Sequence, residues 1–185
     1  MTETTESSEA AQVSDKAATS GRAGVQSLRW MILSLVIVLA DQITKIMVVE
    51  NLIEFQRINI TPFFDLVRFH NTGAAFSILA DAGGWQHLLF TGIAMAVSAG
   101  IVWYQWVLPG RGCRTLALGL ALILGGAIGN LVDRLNYGYV VDFLLFYYDE
   151  LAWPAFNVAD SAIAVGVALI IFDSLFLEKK RTATA

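Results

Sequence analysis

Four long apolar segments dominate the pattern of hydrophobic and polar positions along the chain. They cover approximately 30–49, 86–108, 115–135 and 157–177. Each is close to the roughly 20 residues that a helix needs to cross about 30 Å of hydrocarbon. The pattern therefore predicts an all-α membrane protein with four transmembrane helices.

The connection between the first two helices, residues 50–85, is too long and too apolar for a simple loop. Short strand-like runs lie on both sides of Pro62, at 58–60 and at 66–69. Apolar runs that end at a turn-forming proline indicate short strands. We therefore expect a small β-sheet outside the membrane.

The connection between the last two helices is rich in aromatic side chains. These are Phe143, Phe146, Tyr147, Tyr148, Trp153 and Phe156. Aromatic residues beside membrane spans concentrate at the membrane–water interface. We expect residues 143–156 to form an interfacial segment that lies on the membrane surface.

Both ends of the chain are polar. Residues 1–27 are rich in Thr, Ser, Ala and Glu and hold few large apolar side chains, so we expect a disordered tail. The four-helix membrane domain is predicted to span 28–178. A short basic tail, 179–185, completes this division of the chain.

The composition supports a membrane protein and excludes some functions. Hydrophobic residues make up 56% and charged residues 15% of the chain, whereas soluble domains average about 45–50% and about 25%. The net charge of −4 argues against a nucleic-acid partner. The single cysteine, Cys113, excludes an intrachain disulfide.

The basic residues predict the orientation in the membrane. Of the twelve Lys and Arg residues, eight lie before the first helix, between the second and third, or after the fourth: Lys16, Arg22, Arg29, Arg111, Arg114, Lys179, Lys180 and Arg181. The opposite connections hold only Arg57 and Arg68. Positive residues stay in the cytoplasm, so both termini are predicted to be cytoplasmic and the sheet extracytoplasmic.

Two carboxylates stand out as candidates for chemistry. Asp142 follows the third helix and Asp160 opens the fourth, so both are expected at the outer level of the membrane. A close pair of carboxyl groups in a low-dielectric site shares a proton, and the pair can then supply both an acid and a base. The alternative is that Asp160 caps a helix and Asp142 is a loop residue.

Other polar residues near the same level also have two interpretations. Asp41 and Lys45 are four residues apart on one helical face. They either shape the floor of the site or hold the substrate backbone, or they form an ion pair from which Lys45 can snorkel outward. Asn157 either orients Asp160 or binds substrate through its amide, or it caps the fourth helix.

The third helix carries a further set of polar and small residues. Gly125 and Gly129 have the spacing that allows close helix packing. Arg134 shares a face with Asn130 and needs a carboxylate or carbonyl partner. Asp133 is either that partner or a cap at the helix end.

The sequence predicts neither a metal site nor a cofactor. His70 and His87 are too few and too far apart for a histidine metal site. A different class of function is a small proton- or cation-coupled transporter or channel subunit, with Asp41, Asp142 and Asp160 as a relay. A relay places acids at several depths, and here the acids gather on one side apart from Asp173 near the end of the fourth segment.

Five motifs together resemble the signature blocks of the lipoprotein signal peptidases, the signal peptidase II family. The motifs are Asp41-Gln42-Ile43-Thr44-Lys45, Asn71-Thr72-Gly73-Ala74-Ala75-Phe76, the run from Gly125 to Arg134, Val141-Asp142-Phe143 and Phe156-Asn157-Val158-Ala159-Asp160. They occur in the family's order between about 30 and 177.

The resemblance implies an aspartic endopeptidase of the bacterial cytoplasmic membrane with its active site at the outer face. The family removes signal peptides from prolipoproteins, N-terminal to a cysteine that bears a diacylglyceryl group. Its fold of four helices, a small outer sheet and an interfacial helix agrees with the architecture predicted above. Prolipoproteins and membrane lipid are the expected partners, no cofactor is implied, and we expect a monomer.

The resemblance also implies roles for individual residues. Asp142 and Asp160 match the catalytic pair of the family. Seven more positions match its remaining motif residues and are expected to bind substrate or support the site: Asp41, Lys45, Asn71, Gly73, Asn130, Arg134 and Asn157.

Overall fold

The computed structural model describes residues 3–73, 85–108 and 113–178, with side chains from Ser27 onward. The elements in chain order are α1 (Glu3–Asn51), β1 (Arg57–Thr61), β2 (Phe64–Asn71), α2 (Trp85–Val107), α3 (Arg114–Tyr137), β3 (Val140–Tyr148), β4 (Leu151–Ala152) and α4 (Val158–Phe172), which continues as a π-helical segment (Asp173–Leu177). Residues 74–76 of the second motif, Arg111 and the predicted basic tail lie outside the described residues.

The prediction of four transmembrane helices is confirmed. Within the described residues, the segments that are long and apolar enough to cross a membrane are Ser27–Asn51, Trp85–Val107, Arg114–Tyr137 and Val158–Leu177. Large apolar side chains such as Leu35, Leu88 and Val165 are more than half exposed. An apolar outer surface of this kind suits a bundle whose solvent is lipid.

Helix α3 lies at the centre of the bundle and packs against the three other helices. Small residues make this possible, because they let helix backbones approach closely. A Cβ atom on Gly129 would lie 2.7 Å from Asp41 Oδ2. At Gly126 a Cβ atom would meet the carbonyl oxygen of Ala159. These glycines bring α1 and α4 against the end of α3 that carries the polar motif.

The predicted sheet is present at one end of the bundle. Its antiparallel strands have the order β1-β2-β3-β4, and Pro62 lies in the turn between β1 and β2. In the pairing of β2 with β3, Phe69 faces Asp142 and Asn71 faces Val140. The sheet therefore brings the second motif beside the fourth.

We expected the aromatic segment 143–156 to lie on the membrane surface, in agreement with the interfacial helix that the resemblance implies. The structure has no helix in this segment. Residues 143–156 form most of β3, all of β4 and an extended return along β3, in which Phe156 and Leu144 bond to each other through their backbones. The aromatic and branched residues that favour an interface also favour strands. Pairing with β2 satisfies the backbone, so this segment is sheet.

The first helix begins well before the predicted membrane segment. Helix α1 continues back to Glu3 through residues that we expected to be disordered. The segment contains many Ala and Glu residues, which have high helix propensity. A helix that already exists from Ser27 can be extended without the cost of nucleation.

Candidate active site

Two turns in the chain bring Asp142 and Asp160 to the same end of the bundle. Helix α3 ends at Gly138, whose φ of 80° is left-handed and whose N–H donates to the carbonyl oxygen of Arg134 at 3.1 Å. Glycine suits this cap because other residues are strained there. The chain then enters β3, where Asp142 is only 3% exposed. Asp160 lies in the first turn of α4 and is partly exposed.

Asn157 connects the two carboxylates. Its side-chain Nδ2 donates to Asp142 Oδ1 at 2.8 Å. Its backbone N–H donates to Asp160 Oδ2 at 3.3 Å, and its Oδ1 accepts from the backbone N–H of Asp160 at 2.9 Å. The last two bonds form a capping box. The capping interpretation of Asn157 and Asp160 is therefore correct, and the same residues also face Asp142.

One further amide contacts each carboxylate. Asn71 Nδ2 donates to Asp142 Oδ2 at 3.0 Å, and Asn130 Nδ2 donates to Asp160 Oδ1 at 2.7 Å. All four carboxylate oxygens thus accept a hydrogen bond from a neutral donor. Neutral donors orient a carboxyl group without fixing it in the ionised state.

The surroundings of Asp142 favour its protonated form. Burial, followed by the charge of nearby Asp160, raises the pKa of Asp142 from its ordinary value to about 7. The amides of Asn71 and Asn157 and the charge of Lys45 oppose this rise in pKa only in part. Asp142 can therefore exchange a proton near neutral pH beside a second carboxyl group.

Behind the aspartates lies a cluster of three charged residues that links α1 to α3. Lys45 Nζ contacts Asp41 Oδ2 at 2.8 Å and Asp133 Oδ2 at 3.0 Å. It also donates to Asn130 Oδ1 at 2.9 Å. The predicted contact between Asp41 and Lys45 is confirmed. The snorkelling alternative is wrong, because Lys45 is only 3% exposed and is held inward by two carboxylates.

This cluster supports the backbone beside each aspartate of the pair. Asp41 Oδ1 accepts from the N–H of Ala159 at 2.9 Å, one residue before Asp160. Asp133 Oδ2 accepts from the N–H of Val141 at 3.0 Å, one residue before Asp142. The charged cluster is therefore positioned to hold both aspartates at their places in the fold.

Two residues of this network were not among the predicted site residues. Asp133 was considered only as a partner of Arg134 or as a helix-end cap, and it instead contacts Lys45, Val141 and Gln42. Gln42 Nε2 donates to Asp133 Oδ1 at 2.9 Å and to the carbonyl oxygen of Gly129 at 3.1 Å. Its place beside Asp41 in the first motif was the available signal.

Arg134 and Gly73 lie in the wall of the site. Arg134 Nη2 donates to the carbonyl oxygen of Gly73 at 3.4 Å, and its guanidinium lies 5.7 Å from the centre of the Phe90 ring. The N–H of Gly73 in turn donates to Asn71 Oδ1 at 3.0 Å. A carbonyl, rather than the carboxylate of Asp133, is thus the partner of Arg134.

Two cavities open beside the aspartates. We call the first, of about 410 Å³, the helix-side cavity; its lining includes Asp160, Arg134 and Ile163. We call the second, of about 570 Å³, the sheet-side cavity; its lining includes Asp142 and Phe69. Each aspartate therefore has access to a space that is large enough for part of a peptide.

The structure brings all nine predicted site residues into one connected set. The shared contacts join Asp41, Lys45, Asn130, Asp160, Asn157, Asp142, Asn71, Gly73 and Arg134. These residues come from α1, β2, α3, β3 and α4, together with the chain just before α4 and just after β2. Their proximity agrees with the predicted site, and their roles stay predictions.

Comparison with known proteins first defines the class. Two solved structures, each described as a bacterial membrane enzyme, superpose with TM-scores of 0.69 and 0.66, cover 80% and 81% of this chain and 87% and 94% of their own, and are both 27% identical to it. The chain thus has the fold of a membrane enzyme. A family model described as signal peptidase (SPase) II matches residues 33–176. The chain belongs to this family of proteases.

Relatives named lipoprotein signal peptidase match most of the chain. The protein of Cupriavidus taiwanensis is 50% identical over 80% of this chain and 83% of its own length. That of Acinetobacter baylyi is 46% identical over 86% and 88%. That of Vibrio parahaemolyticus is 46% identical over 94% and 100%. The protein is thus a bacterial multi-pass membrane peptidase, and the transporter alternative is not supported.

Proposed function

We propose that this protein is a lipoprotein signal peptidase in which Asp142 and Asp160 are the catalytic residues. It cleaves prolipoproteins on the N-terminal side of a cysteine that carries a diacylglyceryl group. The observation that carries the assignment of residues is the shared Asn157, which bonds to both carboxyl groups. The ion pairs described for Lys45 join it to Asp41 and Asp133, not to either of these two carboxyl groups.

In the proposed hydrolysis one aspartate acts as a base toward water and the other acts as an acid toward the scissile carbonyl. The ionised aspartate takes a proton from water as the water oxygen bonds to the scissile carbonyl carbon, and the protonated aspartate gives its proton to the carbonyl oxygen. The tetrahedral intermediate then collapses. The C–N bond breaks, the leaving nitrogen receives the proton taken from water, and a hydroxyl proton returns to the other aspartate.

The remaining residues hold the pair and the substrate. Asn130 and Asn157 orient the two carboxyl groups, and Asp41 and Lys45 support the backbone behind them. Asn71, Gly73 and Arg134 lie in the cavity wall. We assign them to binding the substrate backbone, since their amide, carbonyl and guanidinium groups match the polar groups of a peptide.

Membrane orientation is the next part of the proposal. Both termini lie in the cytoplasm and the aspartates lie at the outer face, as the excess of Lys and Arg at one side of the four helices supports. A reporter that functions only in the cytoplasm should be active when it is fused after Ala185. Activity of a reporter that functions only outside the membrane contradicts the orientation.

Lipid recognition and oligomeric state complete the proposal. A lipid-anchored cysteine keeps the scissile bond at the membrane surface, and each acyl methylene that is buried contributes about 0.8 kcal/mol to binding. A precursor with a lipidated cysteine should therefore be cleaved much faster than one with a free thiol in the same detergent. One chain supplies every residue of the site, so we propose a monomer, which light scattering on the purified protein tests.

Substitution of each aspartate tests the catalytic assignment. Asp142→Asn and Asp160→Asn keep the shape of the side chain but cannot share a proton, and each should lower kcat on a lipidated precursor by about 10³-fold or more. Asp149→Asn, in the exposed turn after β3, is the matched control and should retain full activity. Substantial turnover by either aspartate variant contradicts the mechanism.

A further inference from the structure

The segment 153–155 lies between the two cavities that hold the aspartates. Trp153, Pro154 and Ala155 line the helix-side cavity, where Asp160 lies, and also the sheet-side cavity, where Asp142 lies. The segment therefore borders the space through which a chain could extend from one cavity to the other.

Backbone bonds fix the segment against β3. The N–H of Trp153 donates to the carbonyl oxygen of Phe146 at 2.8 Å, and the N–H of Phe156 donates to that of Leu144 at 3.0 Å. Between these two bonds, Pro154 has a fixed φ and restricts Trp153 to an extended backbone. The indole is thus carried on a rigid support, although it is 61% exposed.

We propose that Trp153 is a substrate-binding residue that contacts the peptide where it passes from one cavity to the other. The inference rests on the proposed function. The exposed indole presents apolar surface to both cavities, so it can cover an apolar side chain of the signal peptide. Its rigid support lowers the entropy lost when substrate binds.

A second exposed aromatic residue on the same hairpin provides a control that distinguishes substrate binding from anchoring at the membrane surface. Tyr148 is 83% exposed. It lines a third hollow, of about 370 Å³, together with Trp153, and it is absent from the linings of the two cavities beside the aspartates. If Trp153 only anchored the sheet at the membrane surface, removing Tyr148 would have a comparable effect.

The test compares Trp153→Ala, Trp153→Phe and Tyr148→Ala on a lipidated precursor in one detergent. We expect Trp153→Ala to raise KM about tenfold with little change in kcat, because truncation of an aromatic anchor chiefly weakens binding. Trp153→Phe should recover most of the loss, and Tyr148→Ala should match the wild type. If Trp153→Ala does not yield folded protein, Trp153→Leu takes its place with the same expected result.

Direct binding provides a readout that does not depend on turnover. The uncleaved precursor should bind to an Asp160→Asn variant about tenfold more tightly than to the same variant that also carries Trp153→Ala. An unchanged KM and unchanged binding, or an equal loss with Tyr148→Ala, would overturn the inference. Failure of the proposed function is distinct, since the wild-type protein would then not cleave the precursor at all.

Discussion

Two groups of buried carboxylates lie within one network, and they differ in their neighbours. Asp41 and Asp133 each contact the ammonium group of Lys45. Asp142 and Asp160 contact amide and backbone N–H groups and lie close to each other. A buried carboxylate that is paired with a cation serves to hold the fold together, whereas a carboxyl group beside neutral donors and a second carboxyl group is suited to proton transfer.

The comparison also separates a cluster that lies away from the two cavities from a pair that lines them. The charged cluster is almost fully buried, with Lys45 at 3% and Asp41 at 0% exposure. The candidate catalytic pair lines two cavities instead. Removing charges from the cluster should therefore affect stability first, and removing them from the pair should affect activity first.

The largest effect on stability is expected from Lys45→Met. The substitution leaves Asp41 and Asp133 buried without their cation, which costs about 3–5 kcal/mol of unfolding free energy. Denaturation of the purified protein in detergent, followed by circular dichroism, measures the loss. A variant that also carries Asp41→Asn and Asp133→Asn has no uncompensated charge and should recover much of the stability. If Lys45→Met alone were as stable as the wild type, the charged cluster would not have the structural role assigned to it.

The pH dependence of stability tests the assignment of the aspartate pair. Since the pKa of folded Asp142 is about 7, against 3.8 for a free carboxyl group, the folded state holds a proton between these values that the unfolded state has released. Stability is then highest at low pH and falls as pH rises toward 7, by at most about 1.4 kcal/mol per pH unit for this one group.

Two measurements check this sign. As pH rises from about 4 to about 7, the wild type should lose unfolding free energy relative to Asp142→Asn. In addition, wild-type kcat/KM should decline above about pH 7, because the pair then loses its shared proton. A wild-type activity that keeps increasing beyond pH 8 is inconsistent with a shared proton.

A smaller loss of stability is expected from a change in the packing of α1 against α3, next to Asp41. In Gly129→Ala the added Cβ would lie 2.7 Å from Asp41 Oδ2, so that Asp41 must shift and loosen its bond to the N–H of Ala159. We expect a loss of about 1–3 kcal/mol in stability. Gly100→Ala is the control, because no atom lies within 4 Å of its added Cβ. Equal stability of the two variants would contradict the close packing of α1 against α3.

The smallest expected effect is that of chelators. All four oxygens of Asp142 and Asp160 accept hydrogen bonds from N–H donors, and such donors repel a cation. We expect EDTA to leave kcat and KM unchanged in an assay buffered against pH drift. Activity that disappears with EDTA and returns with a divalent ion would require another mechanism.

The sequence predicted those parts of the protein that depend on local pattern. The four helices followed from long apolar segments, and β1 and β2 followed from the short runs around Pro62. The pattern did not distinguish an interfacial segment from strand β3, since aromatic residues favour both and the choice depended on pairing with β2. Within the site, the contact of Asp41 with Lys45 was predictable from their spacing on one helix.

The contacts that cross between helices were not predictable in the same way. Asp133 meets Lys45 because the small residues of α3 bring α1 close to it. The spacing of Gly125 and Gly129 indicated close packing, but it did not indicate which helix would be the partner. The role of Gln42 depends on the same approach. A motif identifies which residues matter, whereas the packing decides which of them touch.

The amide of Asn157 has a consequence for inactivation by heat. The same side chain starts helix α4 and holds Asp142, so the geometry of the pair depends on the first turn of that helix. Helix ends fray at much lower free energy than a bundle unfolds. We therefore expect warming to inactivate the protein reversibly when this turn opens, while all four helices remain inserted.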